Sequence, residues 1–123
     1  MANPDEATQI HNLQKHIGDF CDARDWTQFH GTKDLAIAIC TEASELLDIF
    51  RFKTPEQIEG LLKDQTRRKH IEEEVADVFY FLLRFCQMND INLENALVEK
   101  MKINEEKYPA SVVKGSNLKY TER

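Results

Sequence analysis

Glu42-Ala43-Ser44-Glu45 and, further along, Glu74-Val75-Ala76-Asp77 are the stretches on which the reading of this chain turns. Each places two carboxylates at i and i+3, positions that share one face of a helix. At about 100° per residue, Leu35, Ile39, Leu46, Ile49 and Phe50 form one apolar stripe, with Glu42 inside it and Glu45 at its edge. Ile71, Val75, Val78, Phe81, Leu82 and Phe85 form a second stripe, with Glu74 inside and Asp77 at the edge. A carboxylate that faces a core costs several kcal/mol unless a cation or a proton compensates it. Four such groups on two helices argue for one shared cation. The competing account is plainer: Glu is a good helix former, and an acidic pair that faces outward is solvated surface.

The rest of the chain supports an all-α reading. Its 123 residues make one domain, and the hydrophobic (41%) and charged (31%) fractions are those of a globular protein. No apolar run is long enough to cross a membrane, and the polar, acidic start Met1-Ala2-Asn3-Pro4-Asp5-Glu6 is unlike a signal peptide, so a cytoplasmic location is expected. A net charge of −6 disfavours non-specific binding to nucleic acid or to an anionic membrane. Cys21, Cys40 and Cys86 are widely spaced in helical patterns and read as reduced, mostly buried thiols.

Helix boundaries follow from capping chemistry. Asn3-Pro4 starts a first helix that runs to about Ala23, with Ile10, Leu13, Ile17, Phe20 and Cys21 on its core face. Arg24 to Gly31 breaks the period and carries the only Trp. Thr32 is read as the cap of a helix to about Phe52. Thr54-Pro55 opens a short connector to about Lys63, and a long helix follows from about Asp64 to Met88. Asn92 caps a last helix, Leu93 to about Lys107, which Tyr108-Pro109 ends. The expected organisation is a four-helix-bundle-like domain over residues 1–109, with a short connecting helix and apolar faces through which it oligomerises. Residues 110–123 read as an extended tail. The two acidic helices, joined by the connector, are predicted to be antiparallel neighbours.

Carboxylate-only ligands suit hard cations, Mg²⁺ first and Mn²⁺ as a substitute. Zinc would call for closely spaced Cys or His. A di-iron bundle would show Glu-x-x-His, and none of His11, His16, His30 or His70 has a Glu three residues earlier. Mg²⁺ on few carboxylates normally completes its shell with phosphate oxygens, so the substrate class is a phosphate or polyphosphate and the reaction metal-assisted hydrolysis. Lys100, Asn104 and Lys107 share a helix face and are candidate phosphate contacts; the alternative is a solvated charged stripe. Trp26 and Phe52 are candidates for stacking on a base, against ordinary structural cover, and His30 is a candidate at the base edge.

At these residues the chain resembles the MazG-like all-α nucleoside triphosphate pyrophosphohydrolases, and within them the single-domain dCTP pyrophosphatases. The family pattern ExxE, spacer, ExxD is met by Glu42/Glu45 and Glu74/Asp77, with a long spacer. Arg24-Asp25-Trp26, Gln28-Phe29-His30, Lys100-Met101, Ile103-Asn104, Lys107-Tyr108-Pro109-Ala110 and Lys119-Tyr120-Thr121-Glu122 extend the likeness over nearly the whole chain. The resemblance implies hydrolysis of a dNTP to the monophosphate and pyrophosphate by attack at the α-phosphorus, in nucleotide-pool house-cleaning. It implies Mg²⁺ on Glu42, Glu45, Glu74 and Asp77; of these ligands, Glu45 is read as the one that also orients or deprotonates the water. It implies phosphate contacts from Lys100 and Asn104, with Lys107 and Tyr108 beside them, and a base held between Trp26 and Phe52. It also implies a homotetramer, or dimer of dimers. Three positions depart from the pattern: Phe52 stands for a common Trp, Ile17 for a His (with His16 adjacent), and Phe81 for a Tyr. All three bear on the base or sugar pocket, where Phe81 is also placed. The alternatives are a related helical pyrophosphohydrolase for dUTP or phosphoribosyl-ATP, and a non-enzymatic helical interaction module.

Overall fold

The computed structural model describes residues 9–122, and its regular elements are all helices. The chain divides into two compact units, Met1–Asp90 and Ile91–Arg123. The first holds α1 (Gln9–Ala23), α2 (Thr32–Phe50), α3 (Pro55–Lys63) and α4 (Gln65–Met88). The second holds α5 (Leu93–Lys107) and α6 (Ala110–Val113). Single 3₁₀ turns form at Thr27–Phe29 and Tyr120–Glu122. The helix start expected at Asn3-Pro4 lies outside the described residues.

Within the first unit, α2 and α4 make the main packing, and α1 and α3 each lie on α4. The α2–α4 pair is antiparallel. Thr32 at the start of α2 donates to Asn89 Oδ1 just past the end of α4 (2.6 Å), while Ile49 near the end of α2 shares a cavity with His70 near the start of α4. The reversal is set locally. Thr54 and Gln57 form a reciprocal capping box with Pro55 in the first turn of α3. Asp64 then ends α3 and caps α4 by accepting from the Arg67 amide. Cys21, Leu35, Ile71, Leu83 and Cys86 are buried where the helices meet.

Several expectations are corrected. Gly31, not Thr32, is the N-cap of α2, because the Thr32 hydroxyl is turned to Asn89. α2 stops at Phe50, since Arg51 leaves the helical region and Phe52 takes a left-handed φ of 60°. Cys40 is exposed, not buried. Leu13, Phe20 and Val75, all on predicted core faces, remain substantially exposed.

The second unit begins as expected, with Asn92 accepting from the Asn95 amide and α5 ending before Pro109. The tail is not simply extended. It makes the α6 turn, reverses at Gly115 (φ 80°), and brings the Tyr120 ring edge-on to Tyr108, 6.0 Å away. The Lys107 ammonium lies 5.0 Å from that same ring.

A buried arginine ties the first unit together. Arg84 is 3% exposed, and no carboxylate pairs with it among the described residues. Its guanidinium donates instead to His30 Nδ1 (2.9 Å), Gln87 Oε1 (2.7 Å) and Thr27 Oγ1 (3.1 Å). Thr27 passes the contact on, donating to Asp22 Oδ1 at 2.9 Å. Gln87 donates to the Gln14 carbonyl (2.8 Å), and Gln14 donates back to the Leu83 carbonyl (2.9 Å). A Cβ at Gly18 would sit 3.0 Å from Gln87 Nε2, so glycine there lets α1 come close enough for this exchange. The network joins α1, α4 and the Trp26 loop in a fixed geometry. Arg84→Met is expected to lower unfolding free energy by about 2–4 kcal/mol, because three part-buried hydrogen bonds from one buried guanidinium are lost. Arg84→Lys should recover little of it, since a single ammonium cannot reach three divergent acceptors. Urea denaturation followed by circular dichroism measures both.

Candidate metal and substrate site

The acidic pairs meet because their helices do. Glu42 and Glu45 project from α2, Glu74 from α4, and each offers an oxygen within 4.8 Å of the others. Glu42 and Glu74 are half-buried in the seam, and Glu45 is exposed at its rim. Asp77 does not join this tight set, but its charge acts on both Glu42 and Glu74.

The electrostatics are those of crowded like charges. Burial, then a hydrogen bond from the protonated Glu42 carboxyl to Glu45, then repulsion by Glu45, Asp77 and Glu74 push the Glu42 carboxyl from its ordinary 4.5 up to about 7. Glu74 is also raised, first by burial and then by Glu45, with His70 partly offsetting this. Glu42 Oε2 and Glu74 Oε2 are buried with no hydrogen-bond partner among the described residues. Buried carboxylate oxygens are ordinarily satisfied, so two orphans in one seam ask for something that binds oxygen. A hard divalent cation fits this donor set, which is oxygen-rich and partly desolvated. Thr41, Ser44, Glu45, Asp48, Ile49, His70 and Glu74 line the cavity at its mouth.

A second, apolar cavity lies between α1 and α4, lined by His16, Ile17, Phe20, Phe79, Tyr80 and Leu83 among others. His16 and Ile17 both reach it, so the histidine that seemed displaced by one position still borders the same space. The Trp26 ring packs edge-on against Phe20 at 5.7 Å and is 41% exposed. Trp26 is positioned by the end of α1: its amide donates to the Cys21 carbonyl (3.0 Å) across Asp25, which has a φ of 55°. His30 is fixed by Arg84, and because its Nδ1 accepts, its ring proton lies on Nε2. Burial and then the Arg84 charge hold its pKa below the ordinary value, so it is a neutral donor.

Phe81 lies half-buried, edge-on to Tyr80 at 4.8 Å. Phe52 is 90% exposed, with only the Arg51 guanidinium over its ring at 4.7 Å. Lys100, Asn104, Lys107 and Tyr108 belong to the second unit, on α5 and at its end. Lys100 is exposed there, and Asn104 Nδ2 lies 3.8 Å from Met101 Sδ. Two residues that matter were not singled out from sequence. Arg84 is flanked by apolar residues in the sequence, with nothing to advertise its partners. His70 did carry a signal, its i,i+4 spacing to Glu74, which differs from the Glu-x-x-His spacing of a di-iron bundle.

No family model matches the chain. The chain is similar to dCTP pyrophosphatase 1 of Homo sapiens, 31% identical over 113 residues, which is 92% of this chain and 66% of that protein. The same protein of Rattus norvegicus is 28% identical over the same length. The chain thus spans about two thirds of the length of these relatives. The crystal structure of a pyrophosphatase from Archaeoglobus fulgidus superposes with a TM-score of 0.76 at 36% identity, covering 82% of this chain and 93% of that one. With Glu42, Glu45 and Glu74 converging from two antiparallel helices and this level of likeness, the chain belongs to the MazG-like all-α pyrophosphohydrolases.

Proposed function

We propose that this chain hydrolyses a deoxynucleoside triphosphate, dCTP-like by preference, to the monophosphate and pyrophosphate at the α2–α4 carboxylate seam. The observation that carries the reading is the convergence of Glu42, Glu45 and Glu74, with two buried oxygens left unpaired. These three and Asp77 would hold Mg²⁺, with Mn²⁺ as a substitute. A bound divalent cation supplies an acidified water and neutralises charge on the phosphates. Glu45, the exposed member, orients the attacking water at the α-phosphorus. The names of the relatives support the dCTP-like preference. The assignment of Lys100, Asn104, Lys107 and Tyr108 to phosphate contacts rests on the family resemblance alone. A homotetramer, or dimer of dimers, is part of the same reading. Exposed Leu13, Ile37, Leu47 and Phe79 in the first unit and Leu97, Val98 and Met101 in the second support it.

The reaction is tested by its products. With Mg²⁺ and each dNTP, the monophosphate and pyrophosphate should appear in equal amounts, and Glu74→Gln should lower the rate at least a hundredfold, about 2.7 kcal/mol of barrier. Diphosphate and orthophosphate as products would place the attack at the wrong phosphorus.

The seam also fixes a pH dependence. The folded-state pKa of Glu42 is raised above its unfolded value, so the folded state holds its proton more tightly and ionisation weakens it. Without metal, stability should therefore fall as pH rises from 4.5 through about 7, the window between the two values. Mg²⁺ at pH 8 should raise Tm, and Mg²⁺ with a dNTP should raise it further. A thermal shift series in EDTA and in Mg²⁺ reads both.

The edge-on packing of Trp26 against a ring that borders the apolar cavity supports its reading as cover for a base. Stacking contributes roughly 1–3 kcal/mol per base. Trp26→Ala is thus expected to raise KM for every dNTP about ten- to hundredfold, at about 1.4 kcal/mol per decade, with a smaller fall in kcat. Unchanged KM would return Trp26 to structural cover.

A further inference from the structure

His70 stands four residues before Glu74 on one face of α4, with Nδ1 4.0 Å from Glu74 Oε1. The two border the same cavity as Glu45 and Asp48. The Glu74 side chain is 15% exposed and its Oε2 has no partner, whereas the imidazole is 56% exposed and open to the cavity mouth. A separation of 4.0 Å is too long for a hydrogen bond. It does suit two donors of one ion, since bonds of about 2.1 Å put neighbouring ligands roughly 3 Å apart and opposite ones roughly 4.2 Å apart. A helix presents paired metal ligands at this same i,i+4 spacing in the zinc-binding H-E-x-x-H motif. His70 makes no hydrogen bond among the described residues, so no competing partner turns its ring away.

We propose that His70, which lies outside the tight Glu42, Glu45 and Glu74 set, is a nitrogen ligand at the edge of the metal centre, binding a divalent ion together with Glu74. The inference rests on the reading of the carboxylate seam as a metal site. Its chemical consequence is a mixed nitrogen and oxygen donor set. Imidazole adds little affinity for Mg²⁺, which is hard and oxygen-seeking, and more for Mn²⁺ or Co²⁺, which accept nitrogen readily. The centre therefore selects Mn²⁺ over Mg²⁺ more strongly than four carboxylates would.

The test uses the full chain and Mn²⁺ without nucleotide. Pulsed electron paramagnetic resonance of the Mn²⁺ complex should show ¹⁴N modulation from a directly bound imidazole, and His70→Gln should abolish it. Calorimetric titration should show Mn²⁺ affinity falling about tenfold or more in His70→Gln, with Mg²⁺ affinity changed less than about threefold. Because His70 is exposed, the metal-free variant should match the wild-type circular dichroism. Mn²⁺ binding that is lost in Glu74→Gln yet shows no ¹⁴N modulation in wild type would overturn the His70 assignment and leave the carboxylate site standing. Unchanged Mn²⁺ affinity in His70→Gln would overturn it equally. A wild-type chain that binds neither ion would sink both readings.

Discussion

Two carboxylates in an apolar seam set the terms for the rest of this molecule. Glu42 and Glu74 occupy positions on α2 and α4 where a helix pair would ordinarily place leucine. Their mutual repulsion and partial desolvation work against the main packing contact in the first unit. The seam nevertheless closes, and the features around it explain how. Leu35, Ile71, Leu83 and Cys86 are buried along the same helices. The α3 connector, capped at both ends by Thr54 and Asp64, leaves α2 and α4 little freedom to splay. The acids are held together by structure built elsewhere, as expected of a site whose geometry serves chemistry at the expense of local stability.

The same division of labour appears at the other end of the unit. The loop between α1 and α2 is short and polar, yet it carries Trp26 and His30 in defined orientations. It is anchored from below by Arg84, whose three donors have found neutral acceptors and whose charge reaches Asp22 only through the Thr27 hydroxyl. A buried cation without a direct counter-ion is costly unless every donor is satisfied. Here the satisfaction runs through α1, the loop and α4 at once, so the loop inherits the rigidity of two helices.

Much of this was legible in the sequence. The period of 3.6 gave the helices, and capping residues placed several of their ends: Thr54, Asn92 and Tyr108-Pro109 all act as read. The acidic pairs stood out because they interrupt apolar stripes, an anomaly visible in one dimension. What was hidden depends on contacts between segments far apart in the chain. Thr32 looks like a cap until its hydroxyl finds Asn89. Arg84 looks like an ordinary helix residue until Thr27 and His30 converge on it. Val75 sits on an apolar stripe by angle, and Cys40 reads as one of the mostly buried thiols, but both are exposed. Period alone tells which side a residue is on; it does not tell how wide the neighbouring helix is.

Phe52 illustrates how backbone shape can restrict the future of a position. Its φ of 60° lies in a region that most side chains enter only at some cost, and its ring is almost wholly in solvent. Nothing in the core would object to another residue there, so the filter on change is conformational, not volumetric. Residues branched at Cβ are penalised by the backbone itself, glycine and asparagine relieve it, and aromatic exchanges keep the strain constant. Drift at this site is therefore channelled toward swapping one flat ring for another or surrendering the ring altogether. Intermediate aliphatic solutions are largely closed, and the breadth of ligands a surface ring can meet would change in steps.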